Sequence, residues 1–189
     1  MRAARSVFVA LAGTLAWLGA AVAPAGAQEF REFDTRGLPR SRGIVVRVSH
    51  PPAWKRVEVD DEMALAELRG PQGKLTGILQ IGRGGPRHDT ETLCRPERAR
   101  TMLTKLEGRD GDTRITDVFF RQHQDRPAYE VRYLRNDAGN FMLVRSVIVC
   151  MKDSQVLVSC GGAGPAKAGL AAIEPVCRKV LESLAISEE

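Results

Sequence analysis

The chain has 189 residues, 43% of them hydrophobic, with 28 Lys and Arg against 23 Asp and Glu, 18 Gly, 10 Pro and 4 Cys. Mixed charge and ordinary apolar content exclude a disordered tail, a collagen, a coiled coil and a multi-span membrane protein, and leave one soluble globular domain. The net charge of +5 is too weak a bias for a nucleic-acid binder, the more so because Arg2 and Arg5 belong to the N-terminal segment considered next.

Residues 1–27 open with Arg2 and Arg5, continue through Val7 to Ala12 and Leu15 to Leu18, and finish Ala25-Gly26-Ala27. A basic start, an apolar run and small residues at positions −3 and −1 spell a secretory signal peptide with cleavage before Gln28. A membrane anchor is the rival reading, but Gly13, Gly19 and Pro24 interrupt the run and no basic stop-transfer cluster follows at once. Lipidation at the cleavage site would need a cysteine there, and the first cysteine is Cys94. The expected location is therefore the periplasm or the medium, for a mature chain long enough to bury a conventional core, about 70% of its unfolded surface.

Residues 28–42 are charged and poorly periodic and read as an N-terminal arm, docked by Phe30 and Phe33 or mobile; residues 43–189 form the single domain. Ile44 to Val48 is β-branched and strand-like, and Pro51-Pro52 forces a turn before a second short strand. Met63 to Leu68 and Lys74 to Ile81 flank Gly70-Pro71-Gln72-Gly73 as a hairpin. Residues 82–95 are the longest loop. After it, Ala99, Met102, Leu103 and Leu106 recur at helical spacing between Pro96 and Gly108. Four strand candidates follow: Thr113 to Arg121, Ala128 to Arg135, Asn140 to Met151 and Val156 to Cys160. Tyr129, Val131 and Tyr133 alternate with Glu130 and Arg132, the pattern of a half-buried strand, whereas Asn140 to Met151 is apolar on both alternations, as a central strand should be. Ile173, Val176, Cys177, Val180, Leu181 and Leu184 trace the clearest helical stripe, which should pack on the sheet.

Four cysteines in an exported chain read as two disulfides, with three possible pairings. A two-residue turn at Asp153-Ser154 sets Cys150 opposite Leu157, so Cys150 and Cys160 point to opposite faces of the sheet. With the two helices on opposite faces, the pairs Cys94–Cys150 and Cys160–Cys177 follow; a turn longer by one residue would undo the argument. Zinc and a redox-active pair are the rivals, and both lack the CxxC spacing they need.

No set of residues names a reaction. His50, His88 and His123 stand far apart, no serine sits in a G-x-S-x-G elbow, and Asp60-Asp61-Glu62 reads as solvated turn carboxylates. Gly82-Arg83-Gly84-Gly85 lacks phosphate-loop spacing and reads as a flexible connection, in which Arg83, Arg87 and His88 offer donors to an anion or an acidic partner. Gly161-Gly162-Ala163-Gly164-Pro165 reads as a loop needing positive φ angles, with an anion held ahead of the following helical region as the alternative. Trp54, after two prolines, reads as a core residue.

Runs of strands with tight turns and two helices to cover them make an α+β order with a mainly antiparallel sheet. In this order, and in Val46 to Trp54, Arg126 to Tyr133, Val147 to Val158 and Pro175 to Leu184, the sequence resembles the PsbP-like superfamily of α/β/α sandwiches. That superfamily includes photosystem accessory proteins, a nuclear factor acting on Ran and bacterial envelope proteins of the DcrB kind. The resemblance implies a scaffold for association and carries no catalytic residue across; the four cysteines depart from the general pattern and suggest an exported branch. The expectation is a non-enzymatic periplasmic accessory or protein-binding module, without cofactor, that docks on another envelope protein through the 82–95 loop or one sheet face. The alternatives are a small-molecule or lipid carrier with a pocket between helix and sheet, an inhibitor or immunity-type protein against an envelope enzyme or toxin, and an enzyme with an unrecognised site.

Overall fold

The computed structural model describes residues 29–73, 75–84, 94–109, 112–137 and 139–189, so the expected signal segment lies outside the described residues. Seven antiparallel strands form the main sheet, in the order β3 (Lys55–Val57), β4 (Ala64–Arg69), β5 (Thr76–Gly84), β9 (Gln155–Gly164), β8 (Asn140–Cys150), β7 (Arg126–Asp137), β6 (Thr113–His123). A second sheet sets β2 (Ile44–His50) between β1 (Arg31–Asp34) and β10 (Ala185–Glu188). Helix α1 (Pro96–Arg109) crosses from β5 to β6, and a 3-10 turn (Lys167–Ile173) leads into α2 (Glu174–Glu182).

The β8 pattern explains the layering. Its two alternations divide between two cores: Val147 and Val149 face α2 and the second sheet, in one cluster with Val46, Val48, Leu79, Val158, Val180 and Ile186. Ile148 and Cys150 face the other way, with Tyr129, Val131 and Ala99 of α1. Full burial of each such aliphatic side chain stabilises the fold by about 1.5–3 kcal/mol, so a strand apolar on both faces holds both layers. The α/β/α expectation stands, with the second sheet joining α2 in one outer layer.

Both disulfides follow from this division. Cys94 is bonded to Cys150 and Cys160 to Cys177, one staple per face. The turn between β8 and β9 differs from the two-residue expectation. Cys150 pairs with Gln155, and Met151 donates its N–H to Ser154 O at 2.8 Å, so the β8–β9 turn spans four residues rather than two. Met151 is buried in the larger core, which rewards ending the ladder early. Lengthening the turn by two preserves parity, and Cys150 and Cys160 still face opposite ways.

Other expectations change with packing. Of the two fates open to the 28–42 arm, docking is taken: Arg31–Asp34 pairs with β2, and Phe30 and Phe33 pack on the core, so the fold begins before residue 43. Gly82, Arg83 and Gly84 do not open the long loop; they continue β5, opposite Leu157, Val156 and Gln155. Gly161 to Gly164 form no positive-φ loop and present no helix start to an anion; they are extended, Gly161 to Ala163 paired on both sides and Gly164 with Phe141 of β8. They are glycines because a Cβ at Gly161 would stand 2.5 Å from Leu143 O, and one at Gly162 would stand 2.8 Å from Leu75 Cδ1. The last helix ends at Glu182, and Leu184 leads into β10, where Ile186 pairs with Val46.

Candidate arginine-lined cleft

The turn between β1 and β2 is built from short-range bonds. Thr35 is buried, accepts from Val46 N at 2.9 Å through its hydroxyl and donates to Ile44 O at 3.3 Å; Ser41 N donates to Leu38 O at 2.9 Å. Gly37, Arg42 and Gly43 turn the chain with φ of +72°, +49° and +80°. Gly pays nothing there, and Arg42 accepts strain that leaves its side chain exposed.

This turn lies against the β3–β4 end of the main sheet and leaves two adjoining clefts. One, of about 430 Å3, is lined by Arg40, Arg56 and Glu58 among others; the next, of about 320 Å3, by Arg40, Arg42, Glu62, Met63 and Arg83. Arg40 is held over the divide: its Nη1 donates to Asp61 O at 2.7 Å, while Asp61 Oδ1 accepts from Met63 N at 2.8 Å. Arg83 is anchored by its backbone, N–H to Met63 O at 2.8 Å; its Nη1 lies 3.5 Å from Ser41 O, and its Nε is buried with no hydrogen-bond partner among the described residues. Met63 is 59% exposed at the rim. Four guanidinium groups against Glu58 and Glu62 give these clefts an excess of positive charge.

Of the three residues singled out for partner binding, the structure puts Arg83 in this cleft, while Arg87 and His88 lie outside the described residues. Arg40, Arg42 and Arg56 were not readable as a group, because Arg40 and Arg42 stand in the apparent arm and Arg56 beyond two prolines. The signal available was the run Arg36-Gly37-Leu38-Pro39-Arg40-Ser41-Arg42-Gly43, a basic turn between two strands, but it needs β1 to be recognised first.

The two described histidines are not brought together. His50 is buried, its Nδ1 2.8 Å from Pro51 O and its ring beside Phe33. His123 ends β6; burial, reinforced by Arg121 and Arg126, holds its imidazole below the usual 6.5, against an opposing hydrogen bond with Gln124. Asp61 serves its turn rather than standing free. Trp54 is buried, as its place after two prolines suggests. Sequence reasoning also missed a buried charge network: Glu130, 4% exposed, accepts from Arg145 and lies 3.8 Å from Arg121 Nη2 and 3.9 Å from Arg132 Nε. The polar alternation of β7 reads as a solvated face, yet Glu130 is buried among these paired arginines.

Superposition on known structures decides the fold. CyanoP, the cyanobacterial PsbP of Synechocystis, matches with TM-score 0.56 over 93% of this chain and 100% of its own, at 13% identity. The fold is PsbP-like. The same PsbP-like architecture relates this chain to LpqN of Mycobacterium tuberculosis, described as involved in cell envelope biogenesis (TM-score 0.53, 12% identity, 84% of this chain and 92% of that one). It also relates it to the Ran-binding protein Mog1p of Saccharomyces cerevisiae (TM-score 0.50, 9% identity, 84% and 96%). No family model and no curated protein matches the sequence. Among the described residues of this PsbP-like chain, no helix is long and apolar enough to cross a membrane.

Proposed function

We propose that this chain is an exported, non-enzymatic accessory module of the cell envelope, and that it docks an acidic segment of another envelope protein into the cleft of Arg40, Arg42, Arg56 and Arg83. The observation that carries the reading is the cleft: open, preformed by backbone bonds, and richer in guanidinium than in carboxylate. Guanidinium groups recognise carboxylates through paired, charge-assisted hydrogen bonds, which suits a peptide carrying Asp and Glu. Arg87 and His88, four and five positions after Arg83 in the chain, are assigned to the same partner in this reading. Export is supported by the signal-like segment ending at Ala27 and by two disulfides, which persist in oxidising compartments. The fold's use in a Ran-binding protein and in a protein of envelope biogenesis supports an association module.

The test is cross-linking in the native envelope followed by recovery of the tagged protein. A single stoichiometric envelope protein is expected. Arg42→Glu with Arg56→Glu, both at exposed side chains, should abolish its recovery while changing stability by only about 0.5 kcal/mol. Undiminished recovery with that pair, and again with Arg87→Glu, rejects the cleft; a clean, partnerless wild type rejects the accessory role.

A further inference from the structure

The outer strand of the main sheet offers a second surface, at the opposite edge from the cleft. β6 ends the strand order, so its far side pairs with no strand among the described residues. Such edges are usually blunted, and here a register shift between Ile115 and Asp117 does this for the first part of the strand. From Asp117 to His123 the edge is regular.

The hairpin turn fixes which backbone groups are free. β6 and β7 close at His123 and Arg126 around Gln124 and Asp125, whose φ angles of +48° and +62° mark a two-residue turn of the kind that matches strand twist. The closing pair of such a hairpin is hydrogen-bonded, so Arg121, Phe119 and Asp117, at alternate positions from His123, turn their N–H and C=O groups toward β7. Val118 and Phe120 turn theirs outward. On the sheet face shared with α2, Asp117, Phe119 and Arg121 stand in a row. Phe119 is 49% exposed, one of two large hydrophobic residues so exposed among the described residues, and the Arg132 guanidinium lies 5.7 Å from its ring centroid.

We propose that two copies of this chain join edge to edge through β6, antiparallel about a two-fold axis at Phe119. In that register Val118 of one copy and the partner's Phe120 exchange backbone hydrogen bonds, and the same happens across the axis. The two Phe119 rings face each other in a non-hydrogen-bonded pair, the closer of the two kinds. Asp117 faces the partner's Arg121, twice. Within one copy, Asp117 already lies 3.9 Å from Arg132 Nη1, and Arg121 lies 3.8 Å from Glu130, so the pairing links two charge networks of opposite sense. Charge selects the register. Moving the axis to Asp117 or to Arg121 sets like charges opposite each other, and moving it to Val118 or Phe120 sets Phe119 against a charge. The Phe120 side chain, packed on the smaller core with its ring centroid 5.9 Å from that of Tyr129, continues that core across the junction, and Val118, opposite Val131, shares its sheet face.

Sedimentation velocity of the secreted, oxidised protein across a concentration series tests this. A reversible monomer–dimer equilibrium is expected. Asp117→Arg alone and Arg121→Asp alone should each weaken self-association at least tenfold, since each sets like charges in both facing pairs. An equimolar mixture of the two variants should dimerise again, because every facing pair is then unlike. Val118→Pro removes an outward amide without taking a donor from the β6–β7 ladder and should leave a monomer, with thermal melts verifying that each variant folds. A wild type that stays monomeric at every concentration overturns the proposal, as does a dimer indifferent to Val118→Pro; failure of the mixture to recover overturns the Phe119 register. None of these readouts depends on the partner proposed for the cleft.

Discussion

Trp54 illustrates how much one side chain asks of its neighbours. Its indole lies over Gly70 and Gly77, and a Cβ added at Gly77 would stand 2.3 Å from Trp54 Cζ2, far inside contact distance. Gly77 is therefore a packing glycine. Gly77→Ala should lower stability by about 1–3 kcal/mol in urea unfolding, the usual effect of overfilling a well-packed site. Trp54→Phe introduced into that variant should recover part of the loss; an unaffected Gly77→Ala protein would contradict the packing account. The burial of Trp54 is legible in the sequence, since an indole after two prolines belongs in a core. The role of Gly77 is not, because the two positions meet only once β3, β4 and β5 have paired.

Among the elements, α1 and α2 are covers, each tied to its own face of the sheet. The Cys94–Cys150 bridge spans 56 residues and the Cys160–Cys177 bridge spans 17. By the loop-closure argument the longer bridge contributes about 4 kcal/mol and the shorter about 3 kcal/mol, through the unfolded chain. Cys94→Ala with Cys150→Ala should accordingly lower the urea midpoint more than Cys160→Ala with Cys177→Ala, with both pairs still folded at room temperature. The reverse order would show that α2, which covers the larger core, depends on its staple for packing and not only for chain entropy. Helical periodicity and proline placement reveal both covers. The hairpin register is legible only to its parity: the ladder stops at Cys150 because Met151 is buried in the core, a long-range reward absent from the local pattern.

At the scale of the molecule, the described residues form two cores divided by the main sheet, and the two tyrosines belong to the core under α1. Burial raises both phenols above their ordinary 10.0, for Tyr133 against opposing effects of Ser146 and Arg135. A group with a raised pKa in the folded state contributes stability that is present below pH 10 and is lost as the pH climbs through the folded value. Because these are the chain's only tyrosines, the near-ultraviolet absorbance of phenolate should stay low in native protein past pH 10 and then rise together with loss of structure. Titration at the ordinary value with the fold intact would refute burial of this face.

The amino-acid sequence by itself determined the order along the chain of the main strands and both helices, the buried place of Trp54, and the opposite facing of Cys150 and Cys160. Each of these rests on local periodicity, turn residues or parity, which need no knowledge of distant partners. Tertiary structure alone decided the rest. β1 and β10 span four residues each, too short to show a period, and exist because β2 offers them an edge. Glu130 is buried because arginines from β6, β7 and β8 converge on it once those strands align. Gly161 and Gly162 are extended because neighbouring atoms leave no room for a Cβ, and the arginine cleft forms only when the β1–β2 turn comes to rest on β4 and β5. In every such case the deciding contact joins residues far apart in the chain, and its energy is absent until the layers have packed.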